Sequence, residues 1–573
     1  MTYRWNYLPI TSEQIEESKA LAKELGVNAV LGRLLMERGV TSMAKAKKFY
    51  HPQLPDLHDP FLMKDMDVAV KRLNQAMGRK ERILVYGDYD VDGTTAVALV
   101  YKFLRRFYSN VDYYVPDRYT EGYGVSMKGV DYAADTGATL IIVLDCGIKA
   151  THEIAYAKER GIDFIICDHH VPDETLPPAV AILNAKCPGN TYPYEHLSGC
   201  GVGFKFMQGF AVSNGIGFHN LIPLLDLVAV SIASDIVPIM GENRILAYHG
   251  LKVINSNPSV GIKAIIDVCG LSGREISIGD IIFKIGPRIN AAGRILNGKV
   301  AVDLLTERAL SVALEKARNI NTFNETRKDL DKSMTEEANR IVSSMEGLNG
   351  RHSIVLYNES WHRGVVGIVA SRLTEEFFRP AVVLTQVQGL ATGSARSVAG
   401  FDVYKAIEHC RDLLVSFGGH TYAAGLSMKA EAVPEFTRRF EEYVAENIDP
   451  EQLCPVIDIT AQISFGEITP KFFSDLRRFQ PFGPENAKPV FCTRNVYDFG
   501  TSKVVGRHQE HIWLELVDSV SNRVMNGIAF GLGAMAGVIK SRRAFDICYT
   551  IEENQHRRGE VQLLIVDIKP SAG

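Results

Sequence analysis

The sequence predicts an α/β protein with a parallel-sheet domain, a smaller α/β domain joined to it by a long helix, and a C-terminal β-barrel. Three observations carry this prediction. Apolar runs rich in β-branched residues alternate with helix-length segments from residue 82 onward, the alternation resumes after residue 350, and short alternating strands replace it beyond residue 450. Alternating strands and helices are typical of βαβ units, whereas successive short strands are typical of barrels.

The first domain contains five apolar runs that we interpret as strands: RILVY, VDYYV, ATLIIVLD, DFIICDHH and VAILN. The intervening TTAVALVYKFLRRF has the length and pattern of a helix. Polar side chains follow three of these runs: Asp88, Asp90 and Asp92 after the first, Asp145 at the end of the third, and Asp168, His169 and His170 at the end of the fourth. Because open parallel sheets bind ligands at the carboxyl ends of their strands, we expect these side chains at one functional edge.

A polar helical pattern from about residue 300 to residue 345 contains no glycine or proline, which predicts a helix connecting two bodies. The second module then begins with the strand SIVLYN and a glycine-bearing helix start at WHRGVVGIVASRL. It continues with the strand AVVLT, the turn TGSARSVAGF, a helix from Asp402 and a tight turn in GGHTYAAG.

After NIDPEQLCP the chain changes to short alternating strands such as HIWLELVDS, FDICYTIEENQ and EVQLLIVDIKP. This pattern predicts a small barrel of the oligonucleotide-binding (OB) kind. We therefore divide the chain into residues 1–300, the N-terminal segment with the parallel-sheet domain; 301–347, the connecting helix; 348–450, the second α/β domain; and 451–573, the barrel.

The composition is that of a globular protein: 573 residues, 46% hydrophobic and 23% charged. Its nine cysteines are scattered without a C-x-x-C pair and its N-terminus lacks a signal-peptide pattern, so we expect a cytoplasmic protein with reduced thiols. The apolar residues 221–240 include Asp226 and Asp235, which favours a buried helix over a membrane span. With a net charge of −4, any nucleic-acid surface must be a local patch.

The aspartates of DYDVDG, Asp88, Asp90 and Asp92, place like charges at alternate positions, which raises their pKa values unless a cation neutralises them. A solvated acidic turn is one alternative. A calcium loop is another, but its twelfth position would be Leu99, where such a loop requires a bidentate Glu. Asp145, His169 and Asp235, the last within SIASDIVPI, add oxygen ligands and one imidazole. This donor set suits Mn²⁺ or Mg²⁺, and a shared carboxylate would give a two-metal centre.

DYDVDG, VLDCGI, ICDHHVP and ASDIVPI resemble the four motifs of the DHH phosphoesterase superfamily. SWHRGVVGIVASRL, GSARS and GGHTYAAG resemble its DHHA1 partner domain. The complete order, with GPRINAAGR and FQPFGPENAKPVF, is similar to bacterial members of this superfamily that degrade single-stranded DNA from its 5′ end. The resemblance extends over nearly the full length.

The resemblance implies a set of metal ligands, with Asp92 or Asp145 as the bridging carboxylate: Asp90, Asp92, Asp145, His169 and Asp235. It also places Asp88 at the metal centre, as a ligand or as a residue that orients a ligand, with a plain turn residue as the alternative, and it implies that His170 contacts a substrate phosphate. The implied catalytic residues are Asp90, Asp92, Asp145, His169, His170 and Asp235.

Phosphate binding requires fixed donors, and arginine supplies a bidentate fork. The resemblance places six residues along the DNA backbone and its 5′ end: Arg118, Arg288, Arg294, Ser394, Arg396 and His420. A surface salt bridge is the alternative for any one arginine. Loop residues of the barrel could add strand-binding positions or form a solvated face: Lys503, Arg507, His508 and His511.

The sequence therefore predicts an exonuclease dependent on two Mn²⁺ or Mg²⁺ ions that releases mononucleotides from the 5′ end of single-stranded DNA. The resemblance further implies roles in recombinational, mismatch and base-excision repair, a single-strand-binding protein and a RecQ-type helicase as partners, and a monomer without membrane attachment. One alternative is a DHH phosphodiesterase for short oligonucleotides or cyclic dinucleotides, or a pyrophosphatase. Another is a non-catalytic replication scaffold, which would be expected to have lost metal ligands.

Overall fold

The computed structural model describes residues 3–345, 350–554 and 559–571. The chain forms two compact units, one of residues 58–237 and 249–455 and one of residues 1–57, 238–248 and 456–573. We call them the site unit and the barrel unit. Within the described ranges, no helix is both long and apolar enough to cross a membrane.

The first sheet of the site unit has five strands, all parallel, in the order Val111–Tyr114, Arg82–Gly87, Ala138–Leu144, Asp163–Cys167, Ala181–Leu183. Its central strands are buried along nearly their whole length, as both faces of a parallel sheet usually are. The sheet matches the parallel arrangement that the sequence predicts.

Helices cover this sheet, and three of them are buried along most of their length: Val91–Leu104, Gly199–Ser213 and Leu225–Ser234. The last lies within the apolar stretch 221–240, and its Asp226 is fully buried. The other helices of at least seven residues in this part of the chain are Met66–Gly78, Met127–Asp135, Thr151–Glu159, Gly241–Ser256, Val260–Val268, Gly286–Ile295 and Lys299–Leu305.

The long helix spans Leu310–Ser344, 35 residues. It begins later than the pattern predicts, because a separate helix ends at Leu305 and a turn follows, in which Glu307 Oε1 accepts hydrogen bonds from the backbone N–H groups of Arg308 and Ala309. The second sheet follows, in the order Leu414–His420, Ala423–Lys429, Leu390–Arg396, Ala381–Val387, Ile354–Tyr357, with only the last pair parallel. Helices Val366–Phe377, Val403–His409 and Val433–Asn447 complete this part.

Two of the three predicted turns are wrong, whereas the turn in GGHTYAAG is present as a hairpin. GSARS lies in the strand Leu390–Arg396, where Ala391, Gly393 and Ala395 face inward and make a period-two pattern of small residues. GPRINAAGR lies in the helix Gly286–Ile295, where Gly293 packs against the backbone of Tyr89. His420 ends a strand and pairs with Ala423 across a hairpin.

The barrel unit contains a closed five-stranded barrel, confirming the OB-like prediction. Its strands run in the order Phe491–Asp498, Phe545–Glu553, Val561–Pro570, Val524–Ala529 and His511–Asp518, and the last pairs again with the first. Strands Ala461–Gln462 and Lys503–Val505 extend the sheet, and Arg4–Tyr7 pairs with Val456–Ile459. Helices Ser12–Leu25, Ala29–Glu37, Met43–Tyr50, Pro470–Arg477 and Ala536–Ile539 belong to the same unit.

Candidate active site

The carboxyl edge of the parallel sheet gathers carboxylates and imidazoles from loops that follow three strands. Asp88 follows the strand Arg82–Gly87, and Asp90 caps the next helix by accepting a hydrogen bond from Gly93 N at 3.0 Å. Asp145 follows the strand Ala138–Leu144 in a left-handed backbone conformation, φ 60°. Aspartate tolerates that region better than most residues, and such conformations cluster at functional sites.

Asp92 is the most firmly held of these carboxylates. One oxygen accepts from Gly199 N at 2.6 Å, and the other accepts from Cys200 N at 2.8 Å and from Ser231 Oγ at 2.7 Å. The two backbone donors begin the helix Gly199–Ser213, whose N-terminus favours a negative charge. Glycine is required at position 199 because a Cβ there would lie 2.6 Å from the Cβ of Asp145.

His169 lies at the centre of the cluster. Its Nε2 is 3.1 Å from an oxygen of Asp145, 3.8 Å from one of Asp92 and 3.7 Å from one of Asp235. Burial lowers the pKa of His169 to about 4, so the ring is neutral at physiological pH. A neutral imidazole beside three carboxylates is a metal-ligating arrangement.

The carboxylates themselves indicate that a cation belongs here. Burial first, and the neighbouring aspartates second, raise the pKa of Asp88 to about 8 and hold the pKa values of Asp90, Asp145 and Asp235 above their usual range. Oδ2 of Asp235 is buried and makes no hydrogen bond with any described residue. Such crowding and an oxygen without a donor fit divalent ions with hard oxygen ligands, as Mn²⁺ and Mg²⁺ are. The donor set therefore fits the predicted Mn²⁺ or Mg²⁺.

Asp168 is marked by the sequence only as a strand-end residue, and the structure gives it a distinct position. Its Oδ1 accepts from the backbone N–H groups of His169 and His170 at 2.7 and 3.1 Å, and its Oδ2 accepts from Ile148 N at 3.0 Å. Burial raises the pKa of this carboxyl, but the hydrogen bond and charge of His170 outweigh burial and bring the pKa to about 2. Asp168 orients the two histidines, a function that its spacing alone does not reveal.

His170 is oriented at both ring nitrogens. Its Nδ1 lies 2.7 Å from Asp168 Oδ1, and its Nε2 lies 3.2 Å from the hydroxyl of Tyr123. Burial acts to lower the pKa of His170, but the hydrogen bond and charge of Asp168 raise it above the usual value. Asp168 therefore favours the protonated form of His170, in contrast to the neutral ring of His169.

Three arginines from different elements lie close to one another near this edge. Arg118 stacks over the ring of Tyr89 at 4.9 Å, and Arg294 donates to the backbone oxygen of Gly364 at 3.0 Å. Burial and the charge of Arg118 lower the pKa of Arg294, to about 10, and that of Arg396. Like charges held together indicate an anion site.

Ser394 joins this group at the start of the helix Val366–Phe377. A Cβ on Gly367 would lie 3.2 Å from Ser394 Oγ and 3.2 Å from Arg396 Nη2, so both side chains border the first turn of that helix. Helix N-termini favour phosphate. His420 is largely exposed. Partial burial of its ring, followed by the charges of Lys149 and His170, lowers its pKa, so His420 lies on the same side of the site as His170.

In the described ranges, the hydrogen bonds of Arg288 go to residues outside the arginine group. Arg288 donates to Asn321 Oδ1 and to Lys284 O, each at 2.8 Å. Arg327 on the long helix is not among the predicted residues. After burial and the charge of Arg118, its charge is the next cause that lowers the pKa of Arg294. The buried Nε of Arg327 has no hydrogen-bond partner in the described ranges. The apolar pattern of a helix indicates which face packs against the protein, but it does not indicate that a cation on the helix lies near other arginines.

Known protein families identify this architecture. The profile of the DHH family, N-terminal domain, matches residues 82–232, that of the DHHA1 domain matches residues 350–446, and that of the RecJ OB domain matches residues 459–567. The fold and the site thus define a DHH-family phosphoesterase architecture with an OB barrel.

Similar proteins of established name show which family within this class the chain belongs to. The single-stranded-DNA-specific exonuclease RecJ of Bacillus subtilis is 35% identical over 557 residues, covering 96% of this chain and 69% of the relative. RecJ of Salmonella typhimurium is 34% identical, covering 94% and 96%, and RecJ of Escherichia coli is 32% identical, covering 98% of each. The chain belongs to the RecJ family.

Solved structures of RecJ proteins resemble this fold. The crystal structure of RecJ in complex with Mn²⁺ from Thermus thermophilus has a TM-score of 0.84 and 26% identity, covering 100% of this chain and 80% of that one. An exonuclease RecJ bound to manganese has a TM-score of 0.61 and 32% identity, covering 70% and 98%.

Proposed function

We propose that this protein is an exonuclease that hydrolyses single-stranded DNA from its 5′ end to 5′-mononucleotides with Mn²⁺ or Mg²⁺. The observation that carries the proposal is the joint presence of the carboxylate and imidazole cluster around His169 and the arginine group around Arg396 in one unit. The first fits metal-assisted phosphoryl chemistry, and the second fits a backbone phosphate.

Asp90, Asp92, Asp145, His169 and Asp235 would hold two ions, with Asp92 or Asp145 shared. When bound, the ions supply positive charge to the scissile phosphate and activate water for in-line attack. Asp88 accepts a hydrogen bond from Gly124 N at 3.4 Å and would orient the ligands beside it.

The chain's own residues position the substrate and manage a proton. Arg396, Arg294 and Arg118 would fix phosphate oxygens, with Ser394 as a further donor and His420 and Arg288 farther along the strand. Either His170, held by Asp168 through Nδ1, or a ligand carboxylate would manage the proton.

Polymeric DNA suits the architecture better than a small ligand. The OB barrel is an element that short oligonucleotides, cyclic dinucleotides or pyrophosphate do not need. A replication scaffold predicts lost metal ligands, whereas every predicted ligand is present in this sequence.

The proposal also covers the location, oligomeric state, cellular role and partners of the protein. We propose a cytoplasmic monomer that acts in recombinational, mismatch and base-excision repair with a single-strand-binding protein and a RecQ-type helicase. The division at residues 300, 347 and 450 into catalytic domain, connecting helix, DHHA1 domain and barrel is likewise proposed.

The test uses single-stranded DNA labelled at either end, with Mn²⁺, Mg²⁺ or chelator, beside a blunt duplex. We expect immediate release of a labelled mononucleotide from the 5′ label, dependent on metal and absent on the duplex. Intact single strands in every metal would refute the proposal. Release from the 3′ label first would refute the polarity, and preferential cleavage of dinucleotides would favour the small-substrate alternative.

A further inference from the structure

A cavity of about 890 Å³ lies in the site unit, and none of the residues that line it has a role in the proposed catalysis. Its walls include Tyr101, Lys102, Tyr113, Pro223, Ser259 and Arg308. Small-molecule sites typically span about 300–1,000 Å³, so this volume is ample for one compact ligand.

The lining is cationic. It holds five basic side chains, Lys102, Arg105, Arg106, Arg308 and Lys316, against two carboxylates, Asp303 and Glu307. Glu307 forms an ion pair with Lys316 at 2.8 Å, and Asp303 accepts a hydrogen bond from the hydroxyl of Tyr113. Arg106 donates to the backbone and side-chain oxygens of Asn220, so no carboxylate of the described chain neutralises it.

Arg308 is the cation most available to a ligand. Its side chain is exposed, and its guanidinium makes no hydrogen bond or ion pair with any residue that the structure describes. Lys102 lies nearby and donates to Leu305 O at 3.1 Å, while the buried carboxylate of Asp226 partly balances its charge. A free guanidinium fork beside an ammonium suits a phosphate group.

The cavity also offers surface for a planar ring. Tyr101 and Tyr113 stand edge to face, with ring centroids 4.9 Å apart, and Pro223 and Leu224 contribute an apolar wall. Ser259 also lines the cavity, but it is engaged with the buried carboxylate of Asp226, to which its backbone N–H donates at 2.7 Å. Cations and aromatic faces together match a phosphate joined to a planar ring, as in a nucleotide.

Two helices run from the metal cluster to the cavity and set the distance between them. The helix Val91–Leu104 carries Asp92 in its first turn and Tyr101 and Lys102 near its end. The helix Leu225–Ser234 begins beside Pro223 and Leu224 and ends at Asp235. Asp92 and Lys102 are ten residues apart on this helix, about 15 Å along its axis, so the two sites are distinct.

We propose that this cavity binds a nucleoside monophosphate at a site separate from the catalytic cluster. The probes are 2′-deoxyadenosine 5′-monophosphate, deoxyadenosine and inorganic phosphate, measured by equilibrium dialysis against the full chain in chelator. We expect the nucleotide to bind more tightly than either fragment. Arg308→Glu should weaken nucleotide binding by about tenfold or more, because it replaces a charge-assisted phosphate contact with repulsion.

Two further variants locate the bound nucleotide. Arg340→Ala, which changes an exposed arginine of the long helix, should leave this binding unchanged, whereas binding that persists in Arg396→Ala and falls in Arg308→Glu places the nucleotide in this cavity rather than in the catalytic arginine group. No nucleotide binding, equal binding of phosphate alone, or loss of binding in Arg396→Ala with retention in Arg308→Glu would each overturn the proposal. Degradation of single-stranded DNA by Arg308→Glu is measured in parallel, so failure here stays separate from failure of the exonuclease proposal.

Discussion

Ser231→Ala removes a side-chain donor to Asp92 and tests how the metal cluster is held. Ser231 is fully buried in the helix Leu225–Ser234, and its hydroxyl donates to Asp92 Oδ1 at 2.7 Å and lies 2.6 Å from Ser198 Oγ. The change deletes a single oxygen and leaves the two backbone donors to Asp92 in place.

The magnitude follows from the contacts. A hydrogen bond to a charged group contributes about 1.5–3 kcal/mol. Alanine is the better helix former by up to about 0.7 kcal/mol, which leaves a net loss of about 1–2.5 kcal/mol in the free energy of unfolding. Loss of an outer partner of a ligating carboxylate typically weakens metal affinity by about 10–100-fold. We therefore expect the Mn²⁺ concentration for half-maximal hydrolysis to rise by that factor, with the rate at saturating Mn²⁺ largely retained.

The assay is mononucleotide release from labelled single-stranded DNA across a Mn²⁺ titration, with urea unfolding in parallel. Ser234→Ala is the matched control, because Ser234 Oγ lies in the same helix, is buried, and has no described hydrogen-bond partner. It should be neutral or stabilising and leave the Mn²⁺ dependence unchanged. An unchanged Mn²⁺ dependence in Ser231→Ala, or an equal shift in both variants, would refute the reasoning.

Two further predictions concern geometry and charge. Gly199→Ala should reduce hydrolysis by about 100-fold, since its Cβ would lie 2.6 Å from that of Asp145 and would displace this carboxylate. Gly209→Ala in the same helix, which meets the flexible Met66 Sδ at 2.8 Å, is the control, and equal activity of the two variants would contradict this account. In chelator, thermal unfolding should shift to lower temperature as pH rises from about 4 to about 8 and level off above about 8. The reason is that the pKa of Asp88 is raised to about 8 from an unfolded value of about 3.9, so between these values the folded state binds a proton that the unfolded state has lost, and stability falls as pH rises. Asp88→Asn should flatten the decline, and an equally steep decline in this variant would assign it to other groups.

Much of the site follows from strand periodicity. Asp88, Asp145 and His169 are brought together because parallel strands present their carboxyl ends at one edge, and apolar runs mark where those strands end. The positions of these residues could therefore be predicted without coordinates. Asp235 comes from a helix end and is identified by resemblance, because its own surroundings carry no strand signal.

Other features depend on contacts between distant segments. Ser231 and Gly199 hold Asp92 across more than 100 positions of sequence, as the separations of 139 and 107 residues show. Ser231 begins the stretch SIASDIVPI, but nothing in that stretch marks its hydroxyl as a donor to Asp92. The sequence also misassigns GPRINAAGR and GSARS as turns, because glycine that permits close helix or strand packing looks the same as glycine that permits a turn. Residues 1–57 join the barrel unit through tertiary packing that periodicity does not report.

The central claim is that the cluster around Asp145 holds the metal that hydrolysis requires. The most direct measurement compares Mn²⁺ binding by calorimetry, single-stranded DNA affinity and DNA hydrolysis in wild type, Asp145→Asn and the exposed control Asp135→Asn. We predict that Asp145→Asn loses hydrolysis and binds Mn²⁺ weakly while keeping its DNA affinity, which comes from backbone phosphate contacts, and that Asp135→Asn matches wild type. Hydrolysis by Asp145→Asn at the wild-type rate, or wild-type Mn²⁺ binding by that variant, would contradict the account.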